Sequence, residues 1–325
     1  MPTARSARAH RDDERIGMVP SYIGTARSEV IVRVAGLVHR FEDGSTLDYG
    51  PADFTFCAGE TVAIVGPNGC GKSTLLGHLL GLDVPHSGVV TVLGIDAHTL
   101  DSRRRQSVVG ILQNPDDQVF GPSVREDLAY GPNNWGHDAR TVAGMVDRAL
   151  SRFGLVDKAD RIAHALSSGE RRRVALAAAF VGWSSGSPDR IRLVVMDEPF
   201  EALDHEADAA LRNVLSEIRH AGRAVVVFTT HDLETIPALA DRLVVLGMGG
   251  RVVADGNPLD ILGSLSAADG ADVTNGIDAT YGLELRLPAM IRLRDALARE
   301  GIMVDPTVDP DEMARQLAAI FGARC

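Results

Sequence analysis

The chain has 325 residues, 45% of them apolar and 24% charged, enough for one large or two smaller packed cores and unlike a disordered tail or a collagen-like rod. Asp and Glu number 44 against 33 Lys and Arg, a formal net charge of -11, which argues against nucleic acid held on a basic face. Cys57, Cys70 and Cys325 are odd in number, widely spaced and without a CxxC pair, which argues against a disulfide framework or a zinc site.

Residues 1–29 carry Arg5, Arg8 and Arg11, then Asp12, Asp13 and Glu14 where a signal peptide needs an apolar stretch, and read as a tail. No run approaches the roughly 18 apolar residues of a membrane helix. From Val30 short β-branched runs alternate with helical patterns. Residues 30–34 and 61–65 read as strands, and 72–82 as a helix ended near Gly81. Residues 193–196 and 224–228 are continuous apolar runs of the kind buried on both faces of a parallel sheet. Residues 243–246 and 251–254 flank Gly247, Gly249 and Gly250, a hairpin signal. Together these predict an α/β fold with a mainly parallel central sheet and antiparallel additions. The pattern breaks near Gly256, Asn257 and Pro258, and residues 264–280 are polar and rich in small residues, so 257–280 reads as a linker. Beyond them, 287–300 reads as a helix, and Met313, Leu317, Ile320 and Phe321 give a second, amphipathic one after an acidic start. Its apolar stripe reads as packing, or more sharply as a self-association surface.

Gly66, Pro67, Asn68, Gly69, Cys70, Gly71, Lys72, Ser73 and Thr74 follow a strand and open a helix, the setting a phosphate-binding loop requires. The glycines let successive backbone N–H groups turn toward a phosphate, and the helix N-terminus adds partial positive charge. Lys72 is placed to reach the β and γ phosphates, Ser73 to give its hydroxyl to Mg²⁺, and Thr74 to touch the α phosphate region. A chance glycine-rich turn explains neither the strand before nor the helix after. Cys70 reads as a small filler; if exposed, its thiol would be an alkylation probe of the loop. Lys72 and Lys158 are the only lysines, and Lys158 belongs to no motif.

Leu193–Met196 ends in two adjacent carboxylates. Asp197 is placed to orient Mg²⁺ and Glu198 to polarise a water for attack on a γ phosphate. The bland alternative is a solvated strand end.

Leu166, Ser167, Ser168, Gly169 and Glu170, ahead of three arginines and an apolar helix, resemble the signature of the ATP-binding-cassette (ABC) ATPases, LSGGQ. Ser168 stands where the family has glycine and Glu170 where it has glutamine, so the site is expected to be slower or tuned. The resemblance extends over roughly 30–256. It implies a P-loop NTPase of ABC type with a helical signature subdomain at about 114–182; the two helical patterns beyond the linker add a small C-terminal helical extension at 281–325. It makes Gln113 the Q-loop residue that senses Mg²⁺, Asp204 the D-loop aspartate, His231 the switch histidine on the γ phosphate, and Phe41 the ring that stacks on adenine, with His39 as the fallback. It places Ser167, Ser168 and Gly169 against the nucleotide of a second subunit. Arg171, Arg172 and Arg173 read as a solvated or packing face, and with Arg103 to Arg105 as basic exceptions to test against a membrane partner.

Residues 113–124, followed by Glu126 to Pro132, and the C-terminal segment are similar to the energy-coupling-factor (ECF) ATPases. That implies an ATPase dimer, identical or related in its two chains, peripheral on the cytoplasmic face of the membrane. Its partners would be a transmembrane coupling protein and a small substrate-binding membrane protein, and its task uptake of a vitamin or a transition-metal ion such as cobalt. Two rivals fare worse. A soluble ABC protein acting on DNA or the ribosome usually carries a long coiled-coil insertion or two cassettes, and a P-loop small-molecule kinase gives no reason for residues 166–170 or His231. A conventional ABC transporter ATPase remains the alternative.

Overall fold

The computed structural model describes residues 29–50, 53–114, 118–183, 191–201, 203–267, 288–305, 307 and 309–322. The tail 1–28, Pro115 to Asp117 after the Q-loop, Ala202 and most of the expected linker lie outside them. In chain order the strands are β1 (Val30–Arg40), β2 (Thr46–Asp48), β3 (Phe54–Cys57), β4 (Thr61–Val65), β5 (Ser87–Val92), β6 (Ile95–Asp96), β7 (Val108–Ile111), β8 (Leu193–Met196), β9 (Val225–Thr229), β10 (Arg242–Leu246) and β11 (Val252–Gly256). The helices are α1 (Lys72–Leu79), α2 (Ser102–Arg105), α3 (Val124–Asn134), α4 (Ala139–Arg152), α5 (Ser168–Ala179), α6 (His205–Ala221), α7 (Ile236–Leu239), α8 (Pro258–Ala267), α9 (Ala289–Arg299) and α10 (Pro310–Gly322).

The second sheet has the order β11-β10-β4-β9-β8-β7, parallel except for the β10–β11 hairpin, and the first is an antiparallel group of β1, β2, β3, β5 and β6. Strands β4, β8, β9 and β10 are buried end to end, because the parallel sheet is covered on both faces. Side chains alternate across it. Ala63, Val65, Met196, Val226 and Phe228 join the core containing α3, α4, α5 and α6. Val62, Ile64, Val195, Val227 and Val244 join the core of α1 and the antiparallel sheet. Arg242, 2% exposed, ties the sheets together by donating to Asp255 of β11 at 2.6 Å and to the Thr55 carbonyl of β3 at 2.7 Å.

Two stretches differ from expectation. β1 runs on to Arg40 past a register shift between Ala35 and Val38, where Gly36 sits at φ 56°, so period-two alternation breaks inside one strand. Residues 258–267 are a helix and not the start of a linker: the Asn257 side chain accepts from the Leu259 backbone N–H at 2.9 Å, capping the first turn, and Ile261 and Leu262 are buried. No helix among the described residues is long and apolar enough to cross a membrane.

Candidate active site

The register of the parallel sheet brings four strand ends to one edge. Ile111 pairs with Met196, Met196 with Phe228, and Ile64 with Thr229, so the segments after β7, β8, β4 and β9 emerge side by side. This is where open α/β sheets bind ligands. A pocket of about 310 Å³ opens there, lined by Phe41, Leu47, Asn68, Gly69, Gly71, Lys72, Ser73, Thr74, Gln113, Asp197 and Glu198.

The loop is built so that only glycine fits at its turns. A Cβ on Gly66 would stand 2.5 Å from the Leu246 carbonyl oxygen and 2.7 Å from Cys70 Sγ. Gly71 has φ 107°, and a Cβ there would meet Leu47 and the Tyr49 hydroxyl within 3 Å. Tyr49, buried, donates its hydroxyl to the Gly71 carbonyl at 2.8 Å and anchors the loop to the segment after β2. Lys72 Nζ donates to the Gly66 and Pro67 carbonyls at 2.7 and 3.2 Å, folded back over its own loop. Cys70 is buried and burial pushes its thiol up, so it is the filler and not an accessible probe. Phe41 is 39% exposed at the pocket's rim, with the His39 ring 4.5 Å away.

At the β8 end, Asp197 is buried and its Oδ1 accepts from the Thr229 hydroxyl at 2.5 Å. Thr229 Oγ1 in turn accepts from the Glu198 backbone N–H at 2.9 Å. Glu198 takes φ 46°, a left-handed conformation rare for a residue with a side chain, and its Oε2 lies 3.0 Å from His231 Nδ1. A carboxylate only accepts, so this imidazole nitrogen is the donor. The Ser73 hydroxyl, the Gln113 amide oxygen and the Asp197 carboxylate on the pocket wall are all oxygen donors with one negative charge, the chemistry that suits Mg²⁺ bound beside a nucleotide's phosphates.

Ser167, Ser168, Gly169 and Asp204 do not line this pocket. Ser167 caps α5 in a capping box with Glu170: the Glu170 carboxylate accepts from the Ser167 N–H and hydroxyl, each at 2.8 Å. These bonds, with Lys158 at 3.5 Å, hold the Glu170 carboxyl below its usual range. Lys158, without a motif in the sequence, thus serves the residue that departs from the signature pattern. Asp204 caps α6 by accepting from the Ala207 N–H at 2.9 Å and pairs with Arg173. Of the two readings of the arginine triplet, the packing face holds and the solvated one does not. Arg172 and Arg173 are buried, Arg172 against backbone carbonyls and Arg173 against Asp204 and Glu206, so neither offers a basic patch to a membrane partner.

A profile of the ABC transporter family matches residues 49–201. The chain is 36% identical over 270 residues to the energy-coupling factor transporter ATP-binding protein EcfA of Methanothermobacter thermautotrophicus, covering 81% of this chain and 79% of that protein. It is 40% identical over 205 residues to EcfA of Methanoculleus marisnigri, covering 63% and 71%. Among solved structures, cbiO1 from Clostridium perfringens, part of the ABC transporter complex cbiONQ, is similar with a TM-score of 0.59 at 28% identity, over 74% of this chain and 95% of that one.

A glycine loop between a buried strand and a helix, facing an acid pair two strands away, defines a P-loop nucleoside triphosphatase. Within that class, the chain belongs to the ATP-binding subunits of ABC transporters, which bind and hydrolyse ATP to drive transport across a membrane.

Proposed function

We propose that this chain is the ATP-hydrolysing subunit of an ECF-type importer of a micronutrient, a vitamin or a transition-metal ion such as cobalt. The observation that carries the hydrolytic part is the single wall formed by Lys72, Ser73, Gln113, Asp197 and Glu198. The names of the relatives and of the cbiO1 complex support the ECF part.

In this reading the backbone N–H groups of residues 66–74 cradle the phosphates, and Lys72 leaves its loop carbonyls for the β and γ phosphates. Phe41 stacks on the adenine. Ser73, Gln113 and Asp197 hold Mg²⁺, which when bound neutralises charge on the phosphates. Glu198 accepts a proton from the attacking water, with its carboxylate oriented by His231. Ser167, Ser168 and Gly169, exposed or half-buried and off the pocket wall, complete the site of a second ATPase subunit, while Asp204 lies at the contact between the two. Phe120 and Tyr130 stack edge to face at 4.7 Å, both more than half exposed, the first just beyond the Q-loop and the second on α3. They offer apolar surface to a membrane-embedded coupling protein, which would hold the chain peripherally on the cytoplasmic face.

Affinity purification of the tagged chain from detergent-solubilised membranes of its own host, with mass spectrometry of the retained proteins, tests this. Recovery of a transmembrane coupling protein with small membrane proteins is expected. Recovery of two large permease domains with a soluble binding protein would replace the ECF reading by a conventional ABC transporter.

A further inference from the structure

Arg172 lies in the N-terminal half of α5, four residues after the signature helix begins, and is 5% exposed. Its guanidinium bonds to backbone carbonyls from two strand ends. Nη1 donates to the Leu112 and Gln113 carbonyls at 2.9 and 2.6 Å. Nη2 donates to the Glu198 carbonyl at 2.8 Å and reaches that of Asp197 at 3.4 Å. Among the described residues the buried Nε has no hydrogen-bond partner.

Burying a cation is costly, and here the bonds that offset it go to carbonyls: among the described residues no carboxylate forms an ion pair with it, although those of Glu201, Asp197 and Glu198 attract it from farther off. An apolar residue would avoid that cost but would take the donors away from these carbonyls, so what the arginine contributes is read from which peptides it holds. They are the peptides of Gln113 and Glu198, two pocket residues from different strands, and the second carries the strained φ of 46°. A planar fork with its donors divided between two nitrogens can hold both peptides at once in a fixed orientation, whereas a lysine ammonium brings its donors from a single point and fixes neither plane.

We infer that Arg172 is a positioning residue for hydrolysis, fixing the peptides of Gln113 and Glu198 in one orientation and fastening both to the signature helix. The Q-loop residue, the water-activating carboxylate and the helix that faces the second subunit's nucleotide then move as one body. A displacement of the Q-loop by a membrane partner therefore reaches Glu198 directly. This rests on the reading of Glu198 as base and Gln113 as Q-loop residue given above.

The test compares Arg172→Lys and Arg172→Gln with the full-length wild-type chain in ATP affinity, steady-state hydrolysis and melting temperature, alongside Gln113→Ala, Glu198→Gln and the double variant of Arg172→Lys with Gln113→Ala. Both Arg172 variants should bind ATP within about threefold of wild type and lose about 10- to 100-fold in kcat, since misplacing a reacting group by about an ångström has that effect. The double variant should be little worse than its slower parent, because both changes act through the same peptide. Wild-type kcat in Arg172→Lys, effects of Arg172→Lys and Gln113→Ala that simply multiply, or failure of both Arg172 variants to fold, which would mark a structural strut, each overturn the inference. The Glu198→Gln result separates the two levels. If that variant still hydrolyses ATP, the base reading falls and takes this inference with it; if it is inactive while both Arg172 variants work normally, only the inference fails.

Discussion

Thr229 gives the sharpest single-atom test of how the acid pair is held. Its hydroxyl, on a side chain with no exposed surface, donates to Asp197 and accepts from the Glu198 backbone N–H. Valine has almost the same shape and neither function. Thr229→Val therefore removes a hydrogen bond to a charged group, roughly 1.5–3 kcal/mol, and leaves an amide without its partner, roughly 1–3 kcal/mol. The added methyl returns somewhat less than ~1 kcal/mol of apolar burial. The net is about 2–5 kcal/mol of lost stability, which at roughly 2–4 °C per kcal/mol predicts a fall in melting temperature of about 4–20 °C. Because the freed groups are the Asp197 carboxylate and the strained Glu198 peptide, kcat should fall further than ATP affinity. Thr229→Ser, which keeps the hydroxyl and loses a methyl, should lose only about 1 kcal/mol and retain most activity. Thermal melts with ATPase assays on the three proteins decide it. A valine variant as stable and active as the serine variant would refute the reasoning.

Two further outcomes are expected. Ser168 is exposed at the first position of α5, and neither capping bond of Ser167 involves its side chain, so Ser168→Gly should leave ATPase activity unchanged or raise it; a marked drop in kcat would assign the serine a role the single chain does not reveal. His78 is buried, and burial, aided by the neighbouring His39, pushes its imidazole below the ordinary range against the pull of Asp83. Its Nδ1 donates to the Asp83 carbonyl at 3.1 Å, so its Nε2 accepts from His39 Nδ1 at 3.0 Å. The unfolded chain takes the proton first, so this contribution to stability is present above about pH 6.5 and is lost as the pH falls from there toward the lower folded value. Melting temperatures between about pH 7.5 and 5.5 should fall more steeply for wild type than for His78→Gln, and parallel losses would show that His78 is not the group responsible.

The parts of the site legible in the sequence are those whose partners are close along the chain. The loop 66–74 announces itself because strand, glycines and helix are contiguous, and the acid pair because it ends an unbroken apolar run. Tyr49, Thr229 and Arg172 were not legible as site residues. Tyr49 meets Gly71 from 22 positions away, Thr229 meets Asp197 from 32, and Arg172 meets Leu112 from 60, and no spacing rule connects a side chain to a backbone carbonyl or a carboxylate that far along the chain. Of the two readings of the arginine triplet, solvated face or packing face, burial favours packing, and the sequence did not separate them for a related reason. Charge suggests an outer face, but α5 is enclosed between the sheet and the other helices of its core, so two of the three arginines point inward. Lys158 acquires its reason only when the fold brings it to Glu170. The start of α8 did leave a signal, since Asn257 before Pro258 is a helix cap followed by a favoured first residue, and the polar, small-residue stretch beyond it obscured that cue.

The account stands most directly on Glu198, which sits 3.0 Å from His231 on the wall of the pocket. Glu198→Gln keeps the shape and removes the base. It should bind ATP with near wild-type affinity, accumulate as a dimer in the presence of Mg²⁺ and ATP by size-exclusion chromatography with light scattering, and turn over at least about 100-fold more slowly. Undiminished hydrolysis by that variant would contradict the assignment of the catalytic base, and with it the mechanism built on this pocket.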